Sequence, residues 1–156
     1  MVVMSSLTLF LSAVLILAVI FAVRAFIGYR AVKNDAHDDF NYKKSRSMID
    51  PRLSEAGYKQ AYIRFYAPRK QVFTALSFAC VGILTVPMLG LIRFTLIKIW
   101  EASGQPDEIQ PDFLVFNLMM MIGLITFWAL IFFVNARIYY SKAPVSLRDE
   151  MLKEMD

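Results

Sequence analysis

"VFTALSFACVGILTVPMLGLI", residues 72 to 92, contains no charged side chain, and its reading decides the fold. A helix of that length crosses the hydrocarbon core of a bilayer, which takes about 20 apolar residues. Two further stretches share the property, from Met1 to Val23 and from Phe113 to Ala136. A helix in a water-soluble domain ordinarily turns one face to solvent and carries charge there. Composition points the same way, with 58% hydrophobic residues against 19% charged, where soluble domains are just under half apolar. The sequence therefore implies an all-α integral membrane protein of one domain, with transmembrane helices near residues 5–24, 72–93 and 113–136.

The cations set an expected orientation. Of the 17 lysines and arginines none precedes the first apolar stretch, and eleven lie between Arg24 and Lys70. Arg93 and Lys98 follow the second stretch; Arg137, Lys142, Arg148 and Lys153 follow the third. Cytoplasmic loops carry the excess of Lys and Arg, so the predicted order is an outer N-terminus, a cytoplasmic loop 25–71, an outer loop 101–112 and a cytoplasmic tail 141–156. "MVVMSSL" lacks the basic start of a signal peptide, and the apolar run leads into Arg24, Arg30 and Lys33. The first stretch is accordingly expected to be a retained anchor. Charge order and loop length suit a bacterial cytoplasmic (inner) membrane, with a mitochondrial or other organellar membrane as the alternative.

Just before the second stretch runs "YKQAYIRFYAPRK", residues 58 to 70. On a soluble protein, aromatic faces alternating with cations would suggest single-stranded nucleic acid. Beside a membrane span the same pattern marks a helix lying in the interface, and no nucleic-acid partner is expected. Leu53, Gly57, Ala61 and Phe65 recur every fourth residue, which predicts a short amphipathic helix over 51–66. Asp50-Pro51 would start it, and Pro68 would end it by biasing Ala67 away from the helical region. Tyr58, Lys59, Tyr62, Arg64, Phe65, Tyr66, Arg69 and Lys70 are the expected anchors to anionic headgroups, with Trp100 in the outer aromatic belt. The segment "NDAHDDFNYKKSRSMID", residues 34 to 50, mixes charges without clear periodicity and reads as a loop. Ser146 and Asp149 form a weak capping box, opening a tail helix with Leu147, Met151 and Met155 on one stripe.

The apolar stretches contain no Asp, Glu, Lys, Arg or His. Proton relays and ion paths normally place ionisable groups within the membrane, so neither is expected within one copy of this chain. His37 is the sole histidine and stands beside Asp35, Asp38 and Asp39. With no second histidine or cysteine to complete a site, that cluster reads as a solvated acidic segment, not a metal centre. Cys80 is the only cysteine; it excludes an intrachain disulfide and reads as a small apolar filler. No catalytic residue, metal ligand or cofactor is assigned. Asn117, Asn135, Gly82 and Gly90 are the expected helix–helix contacts, since small and polar residues hold spans together in lipid.

Two families bear comparison. Three spans with an outer N-terminus and a cytoplasmic loop resemble the ExbB, TolQ and MotA motor subunits. Their glycine- and threonine-rich pore lining is reduced here to Thr74, Gly82, Thr85 and Gly90, so their function does not carry over. "RAVKNDAHDDFNYKK" followed by "DPRLSEAGYKQAYIRFYAP" loosely resembles the first cytoplasmic loop of MAPEG proteins, small membrane enzymes of glutathione and eicosanoid metabolism. The likeness covers a quarter to a third of the chain. That family's arginine, histidine, asparagine and glutamate motif would fall around Tyr58 to Phe65, where only Arg64 matches in type. The sequence thus favours a non-catalytic accessory, assembly or structural subunit of a larger membrane complex, such as a respiratory one, with other integral membrane subunits as partners. A small enzyme or ligand-binding protein working at the cytoplasmic interface is the first alternative, and a homo-oligomeric channel or transporter the second.

Overall fold

The computed structural model describes residues 2–141 and 143–155. Met1, Lys142 and Asp156, which belong to the first apolar stretch and the tail, lie outside the described residues. The described chain is all-helical: α1 (Val2–Ser45), α2 (Glu55–Tyr66), α3 (Arg69–Ala102), a 3-10 turn (Asp107–Ile109), α4 (Leu114–Ser141) and α5 (Leu147–Lys153). Three of these, α1, α3 and α4, are long and apolar enough to cross a membrane.

The helix ends follow local chemistry. Helix α3 stops in a Schellman closure: Gly104 takes a left-handed φ of 83°, while Gly104 N donates to Glu101 O and Gln105 N to Trp100 O. Ala67 and Pro68 separate α2 from α3, with Ala67 extended at ψ 136°, as expected of a residue before proline. Ser146 Oγ accepts from Asp149 N at 3.1 Å and opens α5.

Two boundaries differ from expectation. Residues 34–45 continue α1 instead of forming a loop. No glycine or proline interrupts them, Ala36 and Phe40 bury one face, and Asp39 pairs with Lys43 one turn on at 2.8 Å. The helix closes in a second Schellman geometry, with Ser47 at φ 54° and bonds from Ser47 N to Lys44 O and from Met48 N to Lys43 O. Helix α2 begins at Glu55 and not at Pro51, because Ser54 Oγ caps Gly57 N at 3.0 Å. The Asp50 carboxylate instead accepts from Arg52 N in the preceding turn.

The chain forms two compact units. One comprises residues up to Ala18 together with Leu76–Asn135. In it α1 meets α3 where Gly82 leaves room for Leu15; a Cβ on Gly82 would lie 2.8 Å from Leu15 Cδ2. Phe10 stacks on Trp128 at 5.2 Å, and Phe78 meets Phe132 edge-on. The other unit comprises Val19–Ala75 and Ala136–Asp156. Its core is Phe40, Leu53 and Tyr58, with Ile49, Tyr62, Met151 and Met155 packed around them.

Candidate functional site

The second unit concentrates the titratable groups. Tyr58 projects from α2 onto α1 and is fully buried, its ring 5.4 Å from Phe40. Its hydroxyl donates to the Asp39 carboxylate and accepts from Lys43 Nζ at 3.0 Å, while Lys43 also reaches Asp39 at 2.8 Å. Burial, reinforced by the bond to Asp39, pushes the Tyr58 phenol up to about 12. Burial alone would raise Asp39, but the bonds from Lys43 and Tyr58 hold it below the usual carboxylate range. Likewise burial alone would lower Lys43, and its partners Asp39 and Tyr58 hold it above the usual lysine range. The triad thus stays in one protonation state through the neutral range. That suits a structural tie and not a proton donor, which works best with a pKa near ambient pH.

Around this tie α1, α2 and α5 are laced together. His37 Nδ1 lies 3.1 Å from Glu55 Oε1, and its Nε2 lies 3.3 Å from Asn41 Nδ2. A proton on Nδ1 satisfies both, donating to Glu55 and accepting from Asn41. Lys59 lowers the Glu55 carboxyl first, with His37 adding to the effect. Arg64 binds α5 through Glu154 at 2.7 Å and, more loosely, Glu150 at 3.8 Å. Beside the tie opens a cavity of about 430 Å³, walled by Leu53, Tyr58, Met151 and Met155 with Lys43 and Arg148 also on its lining.

The sequence-predicted anchors therefore divide. Tyr58 has no exposed surface and meets protein on all sides, not headgroups. Tyr62 is half-buried on the same stripe and stacks between Tyr58 and Tyr66. Lys59 pairs with Glu55, and Arg64 with α5. Phe65 is half-buried against Tyr66. Arg69 donates to the carbonyls of Arg64 and Phe65, closing the end of α2. Tyr66 and Lys70 are exposed. Trp100 Nε1 donates to Pro106 O at 3.0 Å, fastening the turn that follows α3.

Of the expected helix–helix contacts, two form. Asn135 Nδ2 donates to Ser77 Oγ at 3.0 Å, both buried, joining α4 to α3. Gly82 receives Leu15 of α1. Asn117 does not reach another helix; it donates to Asp112 O at 3.2 Å, at the entry to its own helix. Gly90 faces open space, with nothing within 4 Å of where a Cβ would stand. Sequence reasoning missed a second tie: Trp128 Nε1 donates to Thr85 Oγ1 at 3.1 Å. Its signal was present, since a Trp in an apolar helix needs a partner for its N–H. Cys80 lies with Leu84, Phe127, Leu130 and Val134 along an apolar groove of about 280 Å³ between α3 and α4.

Compared with known proteins, the chain matches no family model, no curated protein and no solved structure.

Proposed function

We propose that the chain is a non-catalytic accessory, assembly or structural subunit of a larger membrane complex, a respiratory complex being one such assembly. One observation carries this reading. Among the described residues the buried polar side chains of the apolar stretches, Ser77, Thr85 and Asn135, bond within the chain: Asn135 to Ser77, and Thr85 to Trp128 and to Val81 O. They tie helices together and leave their hydrogen-bonding groups facing inward, as a scaffold requires.

The spans also cover little of one another. In their most apolar windows only 11%, 28% and 6% of residues of α1, α3 and α4 are buried. Lipid or neighbouring spans must cover the remainder, and the groove beside Cys80 offers a seat for a neighbour's side chains. In the proposed arrangement the N-terminus is outside a bacterial cytoplasmic membrane, the unit built on Tyr58 is cytoplasmic, and α2 lies at the anionic headgroups.

Purification in mild detergent followed by native mass spectrometry tests the proposal. A stoichiometric membrane-protein partner is expected. Migration as a lone chain at every detergent concentration would count against it. The cavity beside Tyr58 supports a second reading, a ligand-binding protein at the same interface. Thermal-shift screening against thiols, quinones and lipids separates the two, because a scaffold responds to none of the soluble compounds.

A further inference from the structure

Where Tyr29 of α1, the α2–α3 elbow and Tyr139 of α4 converge, the second unit forms a groove of about 350 Å³. Arg64 and Arg69 line it from the elbow, and Ile63, Ala67 and Ile138 supply apolar wall. We infer that this groove binds the phosphate of one anionic phospholipid, with Arg69 as the principal cation and the two tyrosines flanking it.

Depth is the first argument. Tyr29 lies six residues beyond Val23, Tyr139 three beyond Ala136, and Arg69 three before Val72. At a rise of about 1.5 Å per residue these positions stand about 5 to 9 Å outside the charge-free runs. The headgroup layer of one leaflet is about 5–8 Å thick, so Arg69 and Tyr139 stand at the level of the phosphates and Tyr29 at the outer edge of that layer.

Charge and pre-organisation are the second argument. Arg69 donates to the carbonyls of Phe65 and Arg64, which holds the guanidinium in place while leaving further N–H donors for an anion. Among the described residues no carboxylate lies within ion-pair distance of Arg69, whereas Arg64 is already matched by Glu150 and Glu154. Gly28 lets Pro68 approach α1, a Cβ there standing 3.1 Å from Pro68 Cβ, so the elbow is seated firmly beside Tyr29. A groove with one unmatched guanidinium, phenol hydroxyls and an apolar wall suits a phosphodiester with its glycerol and the first acyl carbons. A fully hydrated phosphate ion would gain nothing from that wall. The inference rests on the membrane reading above and specifies the lipid contact within it.

Native mass spectrometry of the full chain, titrated with phosphatidylglycerol or phosphatidylcholine, is the test. The wild type is expected to retain one phosphatidylglycerol per chain with about tenfold preference over phosphatidylcholine, which carries the same phosphate but sets a choline cation beside the Arg69 guanidinium and offers no hydroxyl to the tyrosines. Arg69→Gln should lose most of the preference, and so should Tyr29→Phe/Tyr139→Phe, which removes only hydroxyls and leaves the elbow intact. Lys70→Gln, which removes the neighbouring exposed charge, should keep it. Equal retention of the two lipids by the wild type would overturn the inference, as would an equal loss in Lys70→Gln. Displacement by soluble glycerophosphoglycerol would reassign the groove to free phosphate esters and overturn the lipid source. Carbonate extraction of the same membranes reports on the underlying reading: release of the wild type sinks that reading, whereas retention without lipid preference sinks only the groove.

Discussion

The two units of this chain are held by opposite chemistries. In the unit containing Leu76–Asn135, apolar helices meet through a glycine, stacked rings and two side-chain hydrogen bonds. In the unit containing Tyr58, ion pairs and a buried phenol tie α1, α2 and α5 around a small apolar core. The difference follows from the surroundings each sequence implies. In hydrocarbon there is no hydrophobic gain from bringing two apolar helices together, so close packing and polar contacts determine association. A short helix such as α2 is marginal alone outside hydrocarbon, and it is held by packing Tyr58 and Tyr62 against Phe40 of α1 and Met151 of α5. The same residue types thus take different roles in the two units: Trp128 completes a span-to-span bond, while Tyr58 anchors a core.

If the contrast holds, removing Tyr58 should produce the largest change. Tyr58→Ala deletes a fully buried ring, and losses of that kind cost about 3–5 kcal/mol. The expected result is loss of protease protection at residues 46–68 and 143–155, with the helicity of the spans retained. If the whole chain unfolded together instead, the two units would not be separable in stability.

A smaller effect, confined to the same unit, should appear at alkaline pH. Tyr58 is raised to about 12 from a usual 10.0, so its folded form holds the proton more tightly than its unfolded form. Stability from this source is fully present below pH 10, falls as pH rises, and is lost through pH 12. Lys43, also raised, acts in the same direction. Ultraviolet titration of the seven tyrosines should show one late phenol that Tyr58→Phe removes. A late component surviving that substitution would assign it elsewhere, with Tyr62, also raised by burial, as the next candidate.

The apolar half of this contrast could be read from sequence and much of the polar half could not. Charge-free runs report spans directly, because charge within hydrocarbon is costly whatever the fold. Pro68 acts locally and was equally legible. The extension of α1 to Ser45 was not. Its closing residue is Ser47 where glycine would have signalled a stop, and its buried Phe40 has meaning only against Tyr58. Nor did the strip at 58–70 show that its first tyrosine faces protein, since an aromatic stripe looks the same opposite lipid or opposite α5. Arg64 and Glu154 are 90 positions apart, and no local pattern links them.

In the apolar unit a substitution should cost less than at Tyr58. Asn135→Leu removes the bond to Ser77, and interhelical hydrogen bonds in membranes contribute about 0.6 kcal/mol on average and up to about 1.7. The detergent-solubilised chain should therefore lose only a few degrees of thermal stability. A double-mutant cycle with Ser77→Ala should recover that coupling. A coupling of zero would mean that this bond adds nothing to the joining of α3 and α4, leaving packing and the bond from Trp128 to Thr85 to hold them.

The smallest effect, and one of opposite sign, is expected at Gly90. Gly82 and Gly90 stand eight residues apart on α3, and the sequence presents them as equivalent small contacts. Only Gly82 is filled by a neighbour within the chain, and Gly90 meets nothing. Gly90→Ala should leave the isolated chain unchanged or stabilise it by about 0.5–1 kcal/mol, the helix-interior cost of glycine relative to alanine. Gly82→Ala must instead displace the end of Leu15, and should lower stability. The informative measurement repeats Gly90→Ala in the native membrane. If the substitution is harmless to the purified chain yet releases a co-purifying subunit, Gly90 marks the backbone approach of another span. If it is harmless in both settings, that stretch of α3 faces lipid, and the partner surface must lie elsewhere on the spans.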